Sequence, residues 1–233
     1  MRSNARCDES EKRAFFGRRI GHRLKPQQAA LFDTLLPRLA LDLGTRAGAL
    51  ASLFEGTVSD VRLEIGFGGG EHMIAEAERN PQSGFIGIEP FANGMAKALS
   101  AIASRGLTNI RLHFGDAIHV LDWLPAGSIA PLDLLYADPW PKRRHWKRRF
   151  VQDETVGAMA RVLAPGGLFR FATDWADYAA WTLQHLARSS DFEWTAERAD
   201  DWRLPWPGFT ATRYEAKAKR EGRMSCYLIF RRR

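Results

Sequence analysis

Cysteine is scarce in this chain: Cys7 and Cys226 are the only two, far apart and outside any C-x-x-C spacing. They support neither a zinc ribbon nor a disulfide framework. Long apolar runs are missing too, since none approaches the roughly 18 residues of a membrane span. Near the N-terminus Asp8, Glu9 and Glu11 stand where a signal peptide would carry its apolar segment. Repeats, low-complexity tracts and His/Cys/Asp clusters of metal-ligand spacing are absent. These absences predict a soluble, cytoplasmic protein of one domain, with neither membrane nor metal as a partner.

Positive charge is plentiful. The net charge of +7 over 233 residues, with a pI of about 9.8, favours an acidic partner. The excess is concentrated. Four cations lie between Arg18 and Lys25, three at Arg231 to Arg233, and six in the run Lys142, Arg143, Arg144, Lys147, Arg148 and Arg149. Residues 1–15 are polar and mixed in charge, so disorder is expected there. Phe15 to Pro26 follows as a basic extended arm, which reads equally as a tether or as an RNA-touching segment.

Apolar residues at helical spacing predict a helix over Gln27 to Leu39. From Val61 the pattern repeats as strand, glycine turn and helix, the signature of an α/β doubly wound, mostly parallel sheet. The expected strands are Val61 to Ile65, Gly84 to Ile88, Ile110 to Phe114, Leu132 to Ala137 and Leu168 to Ala172, with a late antiparallel strand at Ser225 to Phe230. Helices are expected at Glu71 to Arg79, Asp153 to Leu163 and Tyr178 to Ala187.

Two stretches carry the chemistry. Glu64-Ile65-Gly66-Phe67-Gly68-Gly69-Gly70 hands the first strand to its helix, with glycines that let a ligand approach the backbone. A dinucleotide fingerprint wants Gly or Ala where Glu71 stands, and that carboxylate would repel a pyrophosphate. Acids follow the next strands: Glu89 suits ribose hydroxyls and Asp116 an adenine amino group, while Glu64 would attract a cationic amino-acid moiety. Together these acids describe a pocket for S-adenosylmethionine, which carries a sulfonium and an ammonium and no phosphate. The second stretch is Tyr136 to Arg149. Pro139 should hold Asp138 extended at the end of the fourth strand, and the cations behind it, with His145 and Trp146 among them, suit phosphates and bases.

These residues resemble the tRNA (guanine-N7-)-methyltransferases, a family of class I S-adenosylmethionine-dependent enzymes. The resemblance rests on the Gly17-Arg18-Arg19 to Lys25-Pro26 arm, Leu63 to Gly68, Gly87-Ile88-Glu89, Gly115-Asp116-Ala117, Asp138-Pro139-Trp140-Pro141-Lys142, Thr173-Asp174 and Thr212-Arg213-Tyr214-Glu215. Asp138-Pro139-Trp140-Pro141-Lys142 is the most specific of them. The resemblance implies methyl transfer to N7 of a tRNA guanosine in the variable loop. It implies Asp138 as the catalytic residue, and Glu64, Gly66, Gly68, Glu89, Asp116 and Asp138 around the cofactor. Lys142, Asp174, Thr212, Arg213, Tyr214 and Glu215 would hold the guanosine, and Arg144, His145, Trp146, Lys147, Arg148 and Arg149 would contact RNA. Arg213 departs from a Lys expected in some relatives, which keeps the charge and changes the hydrogen-bond geometry.

Three rivals are weaker. An amino-methyltransferase shows Asp-Pro-Pro and then an aromatic, whereas Trp140 here comes one place early. An inactive RNA-binding relative would not need acids at each strand end. A nicotinamide enzyme is disfavoured by Glu71.

Overall fold

The computed structural model describes residues 15–233. The disorder expected for the N-terminus therefore concerns, up to residue 14, positions outside the described residues. The apolar runs form seven strands: β1 (Asp60–Ile65), β2 (Ser83–Ile88), β3 (Ile110–His113), β4 (Leu132–Leu135), β5 (Leu168–Thr173), β6 (Phe192–Trp194) and β7 (Cys226–Arg232). α1 (Pro26–Thr34) and α2 (Leu36–Leu39) precede β1, and between the strands lie α3 (Glu71–Arg79), α4 (Ala92–Arg105), α5 (Ala117–Trp123), α6 (Asp153–Val162), α7 (Ala176–Arg188), α8 (Asp200–Arg203) and α9 (Arg213–Arg220). The helix expected over Gln27 to Leu39 is broken at Leu35. Pro37 lacks the amide that would continue the ladder, so α2 starts afresh with it in the first turn.

The strand order is β3-β2-β1-β4-β5-β7-β6. β1 to β5 are parallel and β7 runs antiparallel to β5 and β6, as the repeated strand–helix pattern implied. Both faces of the sheet are buried. Phe85 of β2 faces Met73 and Ile74 of α3 and Leu99 of α4, whereas Ile86 and Ile88 belong to the larger cluster with Val120 of α5, Met159 of α6 and Leu186 of α7. A strand with apolar residues on both faces needs a helical layer on each side. Among the described residues, no helix is long and apolar enough to cross a membrane.

Two successive connections carry the chain outward from β1 to β2 and β3, and the next returns it to β4 on the other side of β1. The strand order reverses between β1 and β4, and open α/β sheets place their ligands at the carboxyl ends of strands flanking such a point.

Candidate active site

A cavity of about 300 Å³ opens at that reversal, lined by Ile65 and Gly66 at the end of β1, Ile88 and Glu89 at the end of β2, Asp116 after β3, and Leu134, Tyr136 and Asp138 from and beyond β4. Gly68 also lines it, at φ 61°, a conformation L side chains rarely adopt. Its N–H donates to Glu89 Oε2 at 2.5 Å, and the N–H of Phe91 donates to Glu89 Oε1 at 2.8 Å. Burial pushes the Glu89 carboxyl up to about 7 against the pull of those two donors. Each oxygen keeps a lone pair for a further donor.

Asp116 caps α5: its Oδ1 accepts from the Ile118 N–H at 3.1 Å. Its Oδ2 accepts from the Phe15 N–H at 2.8 Å, so the arm reaches into the cavity, where Phe15, Phe16 and Arg18 are part of the wall. Farther along, Arg19 O accepts from Ala92 N and the Asn93 side chain bonds Gly21 N and His22 O, fastening the arm to the start of α4. The tether reading of the arm missed this placement. Its one signal was the adjacent pair Phe15-Phe16, too apolar for a solvated leader.

Asp138 does not close a strand. β4 ends at Leu135, and Tyr136 turns into the left-handed region at φ 52°, followed by Trp140 at φ 43°. Two non-glycine residues in that region cost about 1–3 kcal/mol each. The turn lifts Asp138 onto the cavity rim beside Gly17, where a Cβ on the glycine would meet Asp138 Oδ2 at 2.9 Å. The residue as a whole is exposed, yet surrounding atoms desolvate the carboxylate and raise its pKa.

The cationic run after Asp138 is a 3-10 helix, Arg143–Arg148. Lys142, Arg143, Arg144 and Lys147 are exposed, and Arg148 lies over the Trp140 ring at 5.0 Å with His145 edge-on to the same ring. Trp146 packs edge-on against Trp181 of α7. Arg149, expected to contact RNA, is instead 2% exposed. Three aromatic rings enclose it, so it cannot reach a phosphate from that position.

Glu64 is likewise absent from the cavity wall. Strand alternation turns Ile65 toward the cavity and Glu64 toward α3, where Glu64 Oε2 lies 2.8 Å from His72 Nδ1. Glu64, His72 and Asp133 are buried together with potential ligand atoms within 4.8 Å of one another. Both Asp133 oxygens are already held by the Arg170 guanidinium at 2.5 Å, which supplies the positive charge.

The expected guanosine contacts divide. Tyr214 lines the cavity, with the Arg213 guanidinium stacked on its ring. Thr212 caps α9 through the Glu215 N–H, and Glu215 is buried with Oε1 bound by Tyr227 Oη and Lys219 Nζ. Asp174 pairs with Arg223 at 2.7 Å, and Lys142 is exposed at the edge of the basic turn. The glycine turn and the carboxylates of Glu89, Asp116 and Asp138 suit a nucleoside with a cationic tail.

Known proteins with similar sequences or folds agree with this architecture. A family model described as "Putative methyltransferase" matches residues 59–228. A tRNA (guanine-N(7)-)-methyltransferase of Bradyrhizobium diazoefficiens is 62% identical over 226 residues, covering 97% of this chain and 95% of that protein. One of Nitrobacter hamburgensis is 60% identical over 231 residues, covering 99% of this chain and 90% of that protein. Among solved structures, TrmN from Thermus thermophilus aligns with a TM-score of 0.54 at 16% identity, over 79% of this chain and 47% of that chain. The 16S rRNA methyltransferase KamB aligns with a TM-score of 0.53 at 17% identity, over 81% and 94% respectively. At such low identity the structural likeness speaks for the fold alone.

Proposed function

The chain belongs to the tRNA (guanine-N(7)-)-methyltransferase family, and from that premise we propose that it transfers a methyl group from S-adenosylmethionine to N7 of a guanosine in the variable loop of tRNA. The observation that carries this reading is the convergence on one cavity of three acid-bearing strand or turn ends with Arg148, a residue of the cationic helix. The carboxylates suit the cofactor, and the cations suit the substrate. Such a substrate and cofactor would be met in the cytoplasm.

When bound, S-adenosylmethionine supplies an electrophilic methyl group. Guanine N7 presents a free lone pair, so no residue need remove a proton before attack. The protein's task is alignment, which can be worth about 7–11 kcal/mol of barrier. In this reading Glu89 accepts the ribose hydroxyls and Asp116 the adenine amino group. Glu64 would need to turn from His72 to reach the amino-acid moiety. Asp138 and Asp174 accept from the guanine N–H edge and favour the positive charge that develops on the ring. Lys142 and the residues from Thr212 to Glu215 frame the base, and Arg144, His145, Trp146, Lys147 and Arg148 hold the RNA.

The test is nucleoside analysis of tRNA after incubation with methyl-labelled cofactor. Label in 7-methylguanosine at the variable loop is expected. Label in a methylated amino group, or none at all, would overturn the reading.

A further inference from the structure

We propose that Arg149 is a positioning residue that holds the turn bearing Asp138 in its left-handed conformation, by fixing the peptide plane between Pro139 and Trp140. The proposal rests on the functional reading above and assigns Arg149 a role other than RNA contact.

Three observations converge on it. Arg149 Nε donates to Pro139 O at 2.8 Å, and Nη1 lies 3.4 Å from Asp177 O at the start of α7. The guanidinium carbon sits 4.9 Å from the Trp146 ring, 5.1 Å from Tyr178 and 5.2 Å from Trp181. Its hydrogen bonds thus go to backbone carbonyls and its faces to aromatic rings, the Asp177 carboxylate acts on it only through space, and Nη2 is buried without a hydrogen-bond partner. A buried charge so lightly compensated is an expensive way to fill a core position, where an apolar side chain would do as well.

What an apolar side chain lacks is the directed donor. The Pro139 carbonyl immediately precedes the Trp140 N–Cα bond, the bond held at φ 43°. Pro139 itself is stiffened by its ring, so fixing its carbonyl also fixes the backbone that leads back to Asp138. The planar guanidinium lies between rings while its edge donates, a combination that an ammonium does not reproduce. Gln152 Nε2 closes the arrangement by donating to both Trp146 O and Arg149 O, which ties the cationic helix to the same anchor. The Asp138 turn and the cationic helix therefore share one buried support.

The experiment compares wild type with Arg149→Met, which fills the aromatic slot without donating. Four quantities are read: melting temperature, cofactor Kd, the salt dependence of tRNA binding, and kcat. Expected are a melting temperature held within a few degrees, a cofactor Kd raised a few-fold at most because Asp138 also lines the cavity, an unchanged salt slope, and kcat lowered on the order of 10- to 100-fold, the scale of an ångström-level misplacement. A salt slope shallower by roughly 0.7–0.9 with kcat preserved would make Arg149 an RNA-binding residue and overturn the proposal. A lower melting temperature with unchanged kcat per folded molecule would make it packing alone, with the same result. If Arg149→Met does not fold, Arg149→Lys, which keeps the charge without the planar fork, is read by the same four measurements. Absence of 7-methylguanosine from the wild-type reaction would remove the functional reading and this role with it, whereas an active wild type matched by the variant would remove only the role of Arg149.

Discussion

The N–H of Phe15 donates to Asp116 Oδ2 at 2.8 Å, which places the N-terminal arm on the carboxylate that the functional reading reserves for the adenine amino group. Asp116 Oδ1 is meanwhile engaged in capping α5. On that reading arm and adenine draw on one carboxylate, each of whose oxygens already accepts an N–H. The arm is held independently farther along, through Arg19 and Gly21 to α4, so its first residues can leave Asp116 without the whole segment detaching.

Deleting residues 1–16 should therefore tighten cofactor binding. Relief from displacing one hydrogen bond to a carboxylate is worth about 1 kcal/mol net, or roughly fivefold in Kd. Calorimetry on the full and shortened chains measures it. Weaker binding by the shortened chain would mean that the arm closes over the ligand instead of competing with it.

Why the arm escaped sequence reading, while the strands did not, is a matter of range. The first three strands are apolar runs bounded by turns, a local signal, and their observed bounds differ from expectation by a residue. The fourth was read two residues too long because Tyr136 and Ala137 remain apolar past the strand: they line the cavity. Glu64 had a usable signal, since it alternates with the inward-facing Leu63 and Ile65. Arg149 had none, because two of its three rings come from α7, about thirty positions on. β6 is only three residues long, and α9 buries little besides Glu215 and Ala218, so neither shows an apolar stripe. The placements of the arm and of Arg149 depend on the completed fold.

Asp133 and Arg170 offer a stability test. Their bidentate pair is buried on adjacent strands, with side chains 6% and 12% exposed. Asp133→Ala leaves the guanidinium without its main counter-charge and should cost about 3–5 kcal/mol, measured by denaturant unfolding. Asp133→Ala combined with Arg170→Leu should recover part of that loss. A single-variant cost below about 1 kcal/mol would show that the Glu64 and Glu76 carboxylates, whose charges also act on Arg170, take over unaided.

The exposed cations should set tRNA affinity apart from chemistry, because phosphate contacts position a nucleic acid without choosing the reacting atom. Replacing Lys142, Arg143, Arg144 and Lys147 with Gln should flatten the log–log salt dependence of binding by up to roughly 0.7–0.9 for every phosphate that is no longer neutralised. Cofactor Kd should not move. A wild-type salt slope in this variant would shift the RNA track to the arm between Arg18 and Lys25.

Glu89 predicts a proton linkage. Its carboxyl is raised from 4.5 to about 7, chiefly by burial, so between those values the native state holds a proton that the unfolded chain has released. Stability from this group therefore falls as pH rises through the window, by up to about 1.4 kcal/mol per unit, and the loss is complete above pH 7. Glu89→Gln should flatten that slope. Cofactor binding acts in the opposite sense: ribose hydroxyls donating to the carboxylate favour its charged form and lower its pKa. Binding at pH 6 should thus release a fraction of a proton, vanishing by about pH 8. Calorimetry at pH 6 in two buffers of different ionisation enthalpy gives the number directly. Asp138 is also raised, so Glu89→Gln separates the two groups. If the variant still binds and releases the wild-type fraction, the proton belongs to Asp138 and Glu89 is already ionised in the free protein.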